Sequence, residues 1–110
     1  MIRPRMTGAA SALLHLLLQR AGDEAHRIFL SCWSSSDWQS LTFTGERHEA
    51  KFVIGGPGAI TFATNWTTGL DEAEFAMPRG FVADIKRQGR FRAREDGSVE
   101  LTIEALTVED

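Results

Sequence analysis

Phe81 to Val108 reads FVADIKRQGRFRAREDGSVELTIEALTV, and the parity of its apolar residues decides the fold. Along the first arm Phe81, Ala83, Ile85, Gly89, Phe91 and Ala93 share one side of an extended chain, and Lys86, Gln88, Arg90, Arg92 and Arg94 share the other. On the way back Val99, Leu101, Ile103 and Ala105 alternate with Ser98, Glu100, Thr102 and Glu104. Both apolar sets fall on odd positions. A two-residue Asp96-Gly97 turn pairs odd with even and sets Phe91 against Thr102, so parity excludes it. A three-residue loop, Glu95-Asp96-Gly97 with Gly97 at positive φ, pairs Phe91 with Leu101, Ala93 with Val99 and Arg92 with Glu100. The one dense basic stretch of the chain thereby meets its own acids.

Outward from this hairpin, the chain has the composition of one compact domain over residues 1–110. With 110 residues, 43% hydrophobic and 25% charged, it is neither disordered nor fibrous. A net charge of -3 gives no whole-molecule attraction to nucleic acid or anionic lipid. Cys32 is the single cysteine, so no internal disulfide forms and a reducing cytoplasm is the expected location. Arg3 and Arg5 before an apolar run outline a signal peptide, but His15 interrupts the run and Gln19-Arg20 end it. The stretch from Gly8 to Leu18 is shorter than the ~20 residues a bilayer crossing needs, so it reads as a core helix with no membrane role. Residues 1–6 then form a frayed arm.

Thr7 is a suitable cap for a helix from Gly8 to about Arg20, whose Ala10, Leu13, Leu14, Leu17 and Ala21 make an apolar stripe, with Gly22 as the stop. Arg27 to Trp33 is apolar on both faces and reads as an inner strand, with Cys32 a buried, inert thiol. Ser34-Ser35-Ser36-Asp37 has turn chemistry. Residues 39–54 are one bent strand or two, because Leu41 and Phe43 are odd while Ala50, Phe52 and Ile54 are even. Either Gly45 is a bulge or Gly45 to His48 is a hairpin loop. Gly55-Gly56-Pro57-Gly58 is the strongest break and marks the midpoint.

Ile60, Phe62 and Trp66 in residues 59–68 suit a strand, and Ile60, Ala63, Trp66 and Leu70 suit a helix. The exit Gly69-Leu70-Asp71-Glu72-Ala73 copies the first helix's exit, Gly22-Asp23-Glu24-Ala25, and favours a second, short helix. Ala73 to Met77 then reads as a short strand and Pro78-Arg79-Gly80 as a turn. The expected fold class is α+β: a single antiparallel sheet of five to six strands with a long N-terminal helix and a short second helix on one face. Ala50-Phe52-Ile54 stands where Val99-Leu101-Ile103 stands in the second half, the outline of an α-β-β-β pseudo-duplication.

Three constellations carry candidate chemistry. Lys86, Arg90, Arg92 and Arg94 form a surface for a polyanion or an acidic partner, set against cross-strand pairing with Glu100 and Glu104 as the simpler account. Trp33, Trp38 and Trp66 with His48 could line an aromatic pocket, where His48 or Glu46 would do polar work, or could simply fill the core. His15, His26 and His48 with Cys32 lack ligand spacing, so no metal is expected. Ser34, Ser35 and Ser36 lack a nucleophile elbow, and the glycine run at 55–58 lacks the Lys-Ser/Thr of a phosphate loop. No motif calls for a cofactor. The reading is a cytoplasmic interaction domain without catalytic machinery, partnered by a second copy or another protein. The runner-up is a small-molecule binder or enzyme, and the third class is nucleic-acid binding through the 86–94 strand.

Overall fold

A computed structural model describes residues 6–109. The expected arm at residues 1–5 lies outside the described residues, while Met6 packs against the core. Helix α1 spans Gly8–Ala21, and Thr7 caps it as its side chain suggests: Thr7 Oγ1 accepts from Ala10 N at 3.0 Å. Ala10, Leu13 and Leu17 are fully buried, and Gly22, at φ 63, ends the helix. Helix α2 spans Ala59–Thr67 and buries Ala59, Ala63 and Trp66, so the helical alternative for this stretch is the observed one. Both helices run into a 3-10 turn, Gly22–Arg27 and Leu70–Glu72.

The sheet comprises β1 (Ile28–Gln39), β2 (Thr44–Ile54), β3 (Phe81–Ala93) and β4 (Val99–Val108), in the order β1-β2-β4-β3 with every neighbour antiparallel. The class is α+β, but the described residues form four strands, not five to six. Two expectations inflated the number. Ser34 to Asp37 does not turn: β1 runs straight through it, because Ser34, Ser35 and Ser36 pair with Glu49, His48 and Arg47 of β2. Ala73 to Met77 has no ladder partner, and Phe75 and Met77 pack on the core as irregular chain. The β1–β2 hairpin therefore closes through residues 40–43, which places Leu41 and Phe43 in the loop and accounts for their parity. Gly45 lies inside β2, where a side chain would run into the backbone carbonyl of Thr107.

Arg27 to Trp33 was expected as an inner strand; the order of the sheet puts β1 on an edge instead. Its second apolar face is left open, with Phe29 60% exposed. Cys32, expected buried, is exposed. A bulge between Leu30 and Cys32 shifts the register there and sets Cys32 opposite the exposed Lys51.

The β3–β4 hairpin closes as its parity requires. Gly97 takes φ 86 and donates to Arg94 O at 3.0 Å, Arg94 N donates to Ser98 O at 2.8 Å, and Ala93 faces Val99 and Arg92 faces Glu100. Asp96 accepts from both Ser98 N and Ser98 Oγ, which holds its carboxyl below the usual carboxylate range. Further along β3 the structure departs from strict alternation. A bulge between Gln88 and Arg92 takes Phe91 out of direct pairing with Leu101, and the Arg87 guanidinium lies 4.2 Å over its ring. A second bulge between Val82 and Asp84 turns Phe81 to the opposite face from Ile85.

The element order repeats helix, 3-10 turn, strand, strand, so the repeating unit is α-β-β, not the expected α-β-β-β. The halves meet along β2 and β4, from Gly45 facing Val108 to Ile54 facing Val99, with Phe52 facing Leu101 and Ala50 facing Ile103. On the helix side of the sheet Trp66 meets the Phe52 ring edge-on at 5.2 Å, and its Nε1 donates to Leu17 O at 2.9 Å. Arg20 Nε donates to Trp66 O at 2.7 Å, which ties α1 to α2. The core lies between the two helices and one face of the sheet.

Candidate functional site

The second face of the sheet has no helix on it and is polar along its middle. Lys86 is paired with Glu104 and Arg92 with Glu100 in the ladder, and Arg92 Nε lies 3.7 Å from Glu100 Oε2. Lys86, Arg90, Arg92 and Arg94 are all exposed. Arg92 faces an acid, as the register required, and an exposed pair of this kind contributes about 0–1 kcal/mol.

The aromatic candidates are spread over the molecule. Trp33 and His48 come together beneath the sheet with rings 5.7 Å apart, edge to face. Trp66 sits over Phe52 between the helices and the sheet, and Trp38 lies half-buried near the end of β1. His48 is 4% exposed and fully bonded: Nδ1 is 2.8 Å from Ser35 Oγ and 3.3 Å from Trp33 Nε1, and Nε2 is 2.9 Å from Thr107 Oγ1. The Trp33 indole N–H, which can only donate, lies 3.0 Å from Ser35 Oγ and 3.3 Å from Nδ1, an arrangement that suits an accepting Nδ1 and a neutral ring with its proton on Nε2, toward Thr107. Burial pushes the His48 pKa below its ordinary value of 6.5, against a smaller upward pull from Glu46. A serine beside an imidazole has the outline of a nucleophile and base, yet Nε2 bonds a neutral hydroxyl where a triad places a carboxylate on the far nitrogen. The arrangement works as a closed polar network that joins β1, β2 and β4.

The exposed apolar residues are the less expected feature. Among the described residues the large exposed ones are Phe29 (60%), Leu41 (fully exposed), Phe43 (48%), Ile60 (55%) and Phe81 (43%); Ile60 lies on α2, and the other four sort to opposite ends of the sheet. At one end the β1–β2 loop projects Leu41 and Phe43, and beside it runs the cross-strand row Trp38, Gly45, Val108, Phe81. Val108 is buried although it is not part of the core cluster, which places it in a small apolar patch on the helix-free face. At the other end Phe29, Gly55, Gly56, Pro57 and the stem of Arg27 line a shallow, open apolar hollow of about 590 Å³, rimmed by Glu24 and His26. Arg27 holds the hollow together: Nε donates to Gly55 O at 3.0 Å, Nη2 donates to Pro57 O, and the guanidinium lies 4.7 Å over Phe62. These residues escaped the sequence reading, although one signal was present. Leu41 and Phe43 fall out of step with the even-numbered core residues of β2, as loop residues do.

Among the described residues no three His, Cys, Asp or Glu side chains gather as metal ligands, and no helix is long and apolar enough to cross a membrane. The sequence matches no protein-family model. It matches no curated protein either. A solved structure, the virion of native gene transfer agent (GTA) particle, contains a chain of similar fold, with a TM-score of 0.65 over 94% of this chain and 99% of that chain at 14% identity.

Proposed function

We propose that this chain is a structural subunit of a protein assembly that works by docking to other protein chains and carries out no chemistry. The observation that carries this reading is the sorting of exposed Phe29, Leu41, Phe43 and Phe81 to the two ends of the sheet, while its middle is polar. Apolar side chains gathered into patches mark protein contacts, whereas singly scattered ones do not. The edges of β1 and β3 add unpaired backbone groups along the flanks of the sheet. The fold likeness to a chain of a virion particle supports the reading by analogy, since a domain of this shape occurs there within a larger assembly. A cytoplasmic location in the producing cell, suggested by the lone thiol of Cys32, is part of the proposal.

The test is isolation of the tagged full chain from cells that make it, followed by native mass spectrometry. Recovery in a complex of defined stoichiometry is the expected result. Recovery as a bare monomer in every fraction would count against a structural role.

A further inference from the structure

We propose that the basic hollow around Lys51, Arg90 and Arg92, on the helix-free face of the sheet, docks a carboxylate-rich extended segment of another protein chain. This deepens the assembly reading and rests on it. Ser31, Lys51, Arg90, Arg92, Glu100 and Thr102 line an open depression of about 420 Å³ there. The ladder explains why they converge. One row across the sheet runs Cys32, Lys51, Thr102, Gln88, and both edge strands bulge beside it, β1 between Leu30 and Cys32 and β3 between Gln88 and Arg92. Gly89, at φ 69, permits the second bulge. Ser31 and Arg90 have no ladder partner in these bulges, and both line the hollow. A bulge breaks the ladder locally and re-aims a side chain, and here two of them aim at one place.

The charges select the occupant. Three cations and one carboxylate line the hollow, and Glu100 lies 3.7 Å from Arg92. Among the described residues neither Lys51 nor Arg90 has a carboxylate oxygen within 4.0 Å. Like charges gathered at one place repel, and a carboxylate brought from outside relieves that repulsion. A guanidinium holds a carboxylate by two parallel bonds, and the hydroxyls of Ser31 and Thr102 are further donors. Farther along the same face Glu49, Asp84 and Glu104 outnumber Arg47 and Lys86, so an acidic segment is drawn to one end of the face and repelled from the other. That opposition, with a net charge of -3, works against a long nucleic acid. Phe91, the ring closest to these arginines in the sequence, packs on the core with the Arg87 guanidinium over it and is not offered to a base. Val53 also lines the hollow and pairs with the exposed Phe29, which makes the site continuous with an apolar end of the sheet.

The test is fluorescence anisotropy of a labelled hexaglutamate peptide titrated with the purified full chain, at about 50 mM and about 150 mM salt. A dissociation constant on the order of 10–100 µM is expected at the lower salt, and weaker binding at the higher. Lys51→Gln and Arg90→Gln should each weaken binding at least about 5-fold. Arg79→Gln removes the same charge from an exposed turn elsewhere and should change it less than about 2-fold. Lys51 and Arg90 are exposed, so the melting temperatures of their variants should match the wild type. Arg90→Lys, which keeps the charge, should bind within about 3-fold of the wild type and so separates loss of charge from loss of fold. A labelled single-stranded oligothymidylate of about 12 nucleotides should bind no more tightly than the peptide. Tighter binding of the oligonucleotide, lost in Lys51→Gln and Arg90→Gln, would make this a nucleic-acid site and overturn the proposal. So would equal weakening by Arg79→Gln, or no binding of hexaglutamate up to about 1 mM protein. The assembly reading stands or falls separately, on whether the cellular protein is recovered in a stoichiometric complex.

Discussion

Two phenylalanines in neighbouring rows of the β1–β2 ladder should respond very differently to truncation. Phe52 faces the helices, is 1% exposed and packs edge-on against Trp66. Replacing it by leucine keeps most of its volume, so the cost comes from lost aromatic contact, about 0.5–1.5 kcal/mol, and from imperfect refilling, about 1 kcal/mol. A loss of about 1.5–2.5 kcal/mol is expected, which for a domain of this size lowers the melting temperature by roughly 4–8 °C per kcal/mol. Phe29 pairs with Val53 on the uncovered face and is 60% exposed, so Phe29→Ala should cost no more than about 0.5 kcal/mol. Equilibrium urea unfolding at low protein concentration, followed by tryptophan fluorescence, measures both from the midpoint shift at unchanged slope. If β1 were an inner strand covered on two sides, Phe29→Ala would cost about 3–5 kcal/mol. A loss above about 2 kcal/mol at Phe29 would refute the open second face, and with it the exposed hollow.

Three further outcomes are expected. Gly97→Val should destabilise by about 1 kcal/mol or more, because a β-branched residue resists the φ of 86 that the turn requires; an unchanged urea midpoint would contradict this turn. Arg92→Gln should cost only about 0–1 kcal/mol, since its pair with Glu100 is exposed. The depressed pKa of His48 means that the unfolded chain takes up the proton more readily, so its contribution is complete above the ordinary value of 6.5 and is lost as pH falls below it. The slope from this one group is at most about 1.4 kcal/mol per pH unit, and it should vanish in His48→Gln; a slope that persists there would assign it to other groups.

Parity and caps made part of this structure readable in advance. Thr7, the α1 stripe and Gly22 bound the first helix, and the odd positions of Phe91 and Leu101 settled the closing turn. Periodicity reports which face a residue is on but not which strand lies next to it, so Arg27 to Trp33 could look like an inner strand while forming an edge. Local propensity misled at Ser34 to Asp37, where serines that favour turns are held in a strand by tertiary partners, Ser35 by Trp33 and His48. The bulges that turn Phe81 and Cys32 to the helix-free face leave no mark in the alternation, and whether Leu41 is covered depends on the whole fold.

The account's central claim is that the apolar ends of the sheet are covered by protein in the assembled state. Hydroxyl-radical footprinting with mass spectrometry tests it directly, by comparing the complex isolated from cells with the dilute purified chain. The account predicts strong protection of Leu41, Phe43 and Phe29 in the complex, with residues of the polar middle such as Lys86 and Glu49 unchanged; equal reactivity of those apolar residues in both states would contradict it.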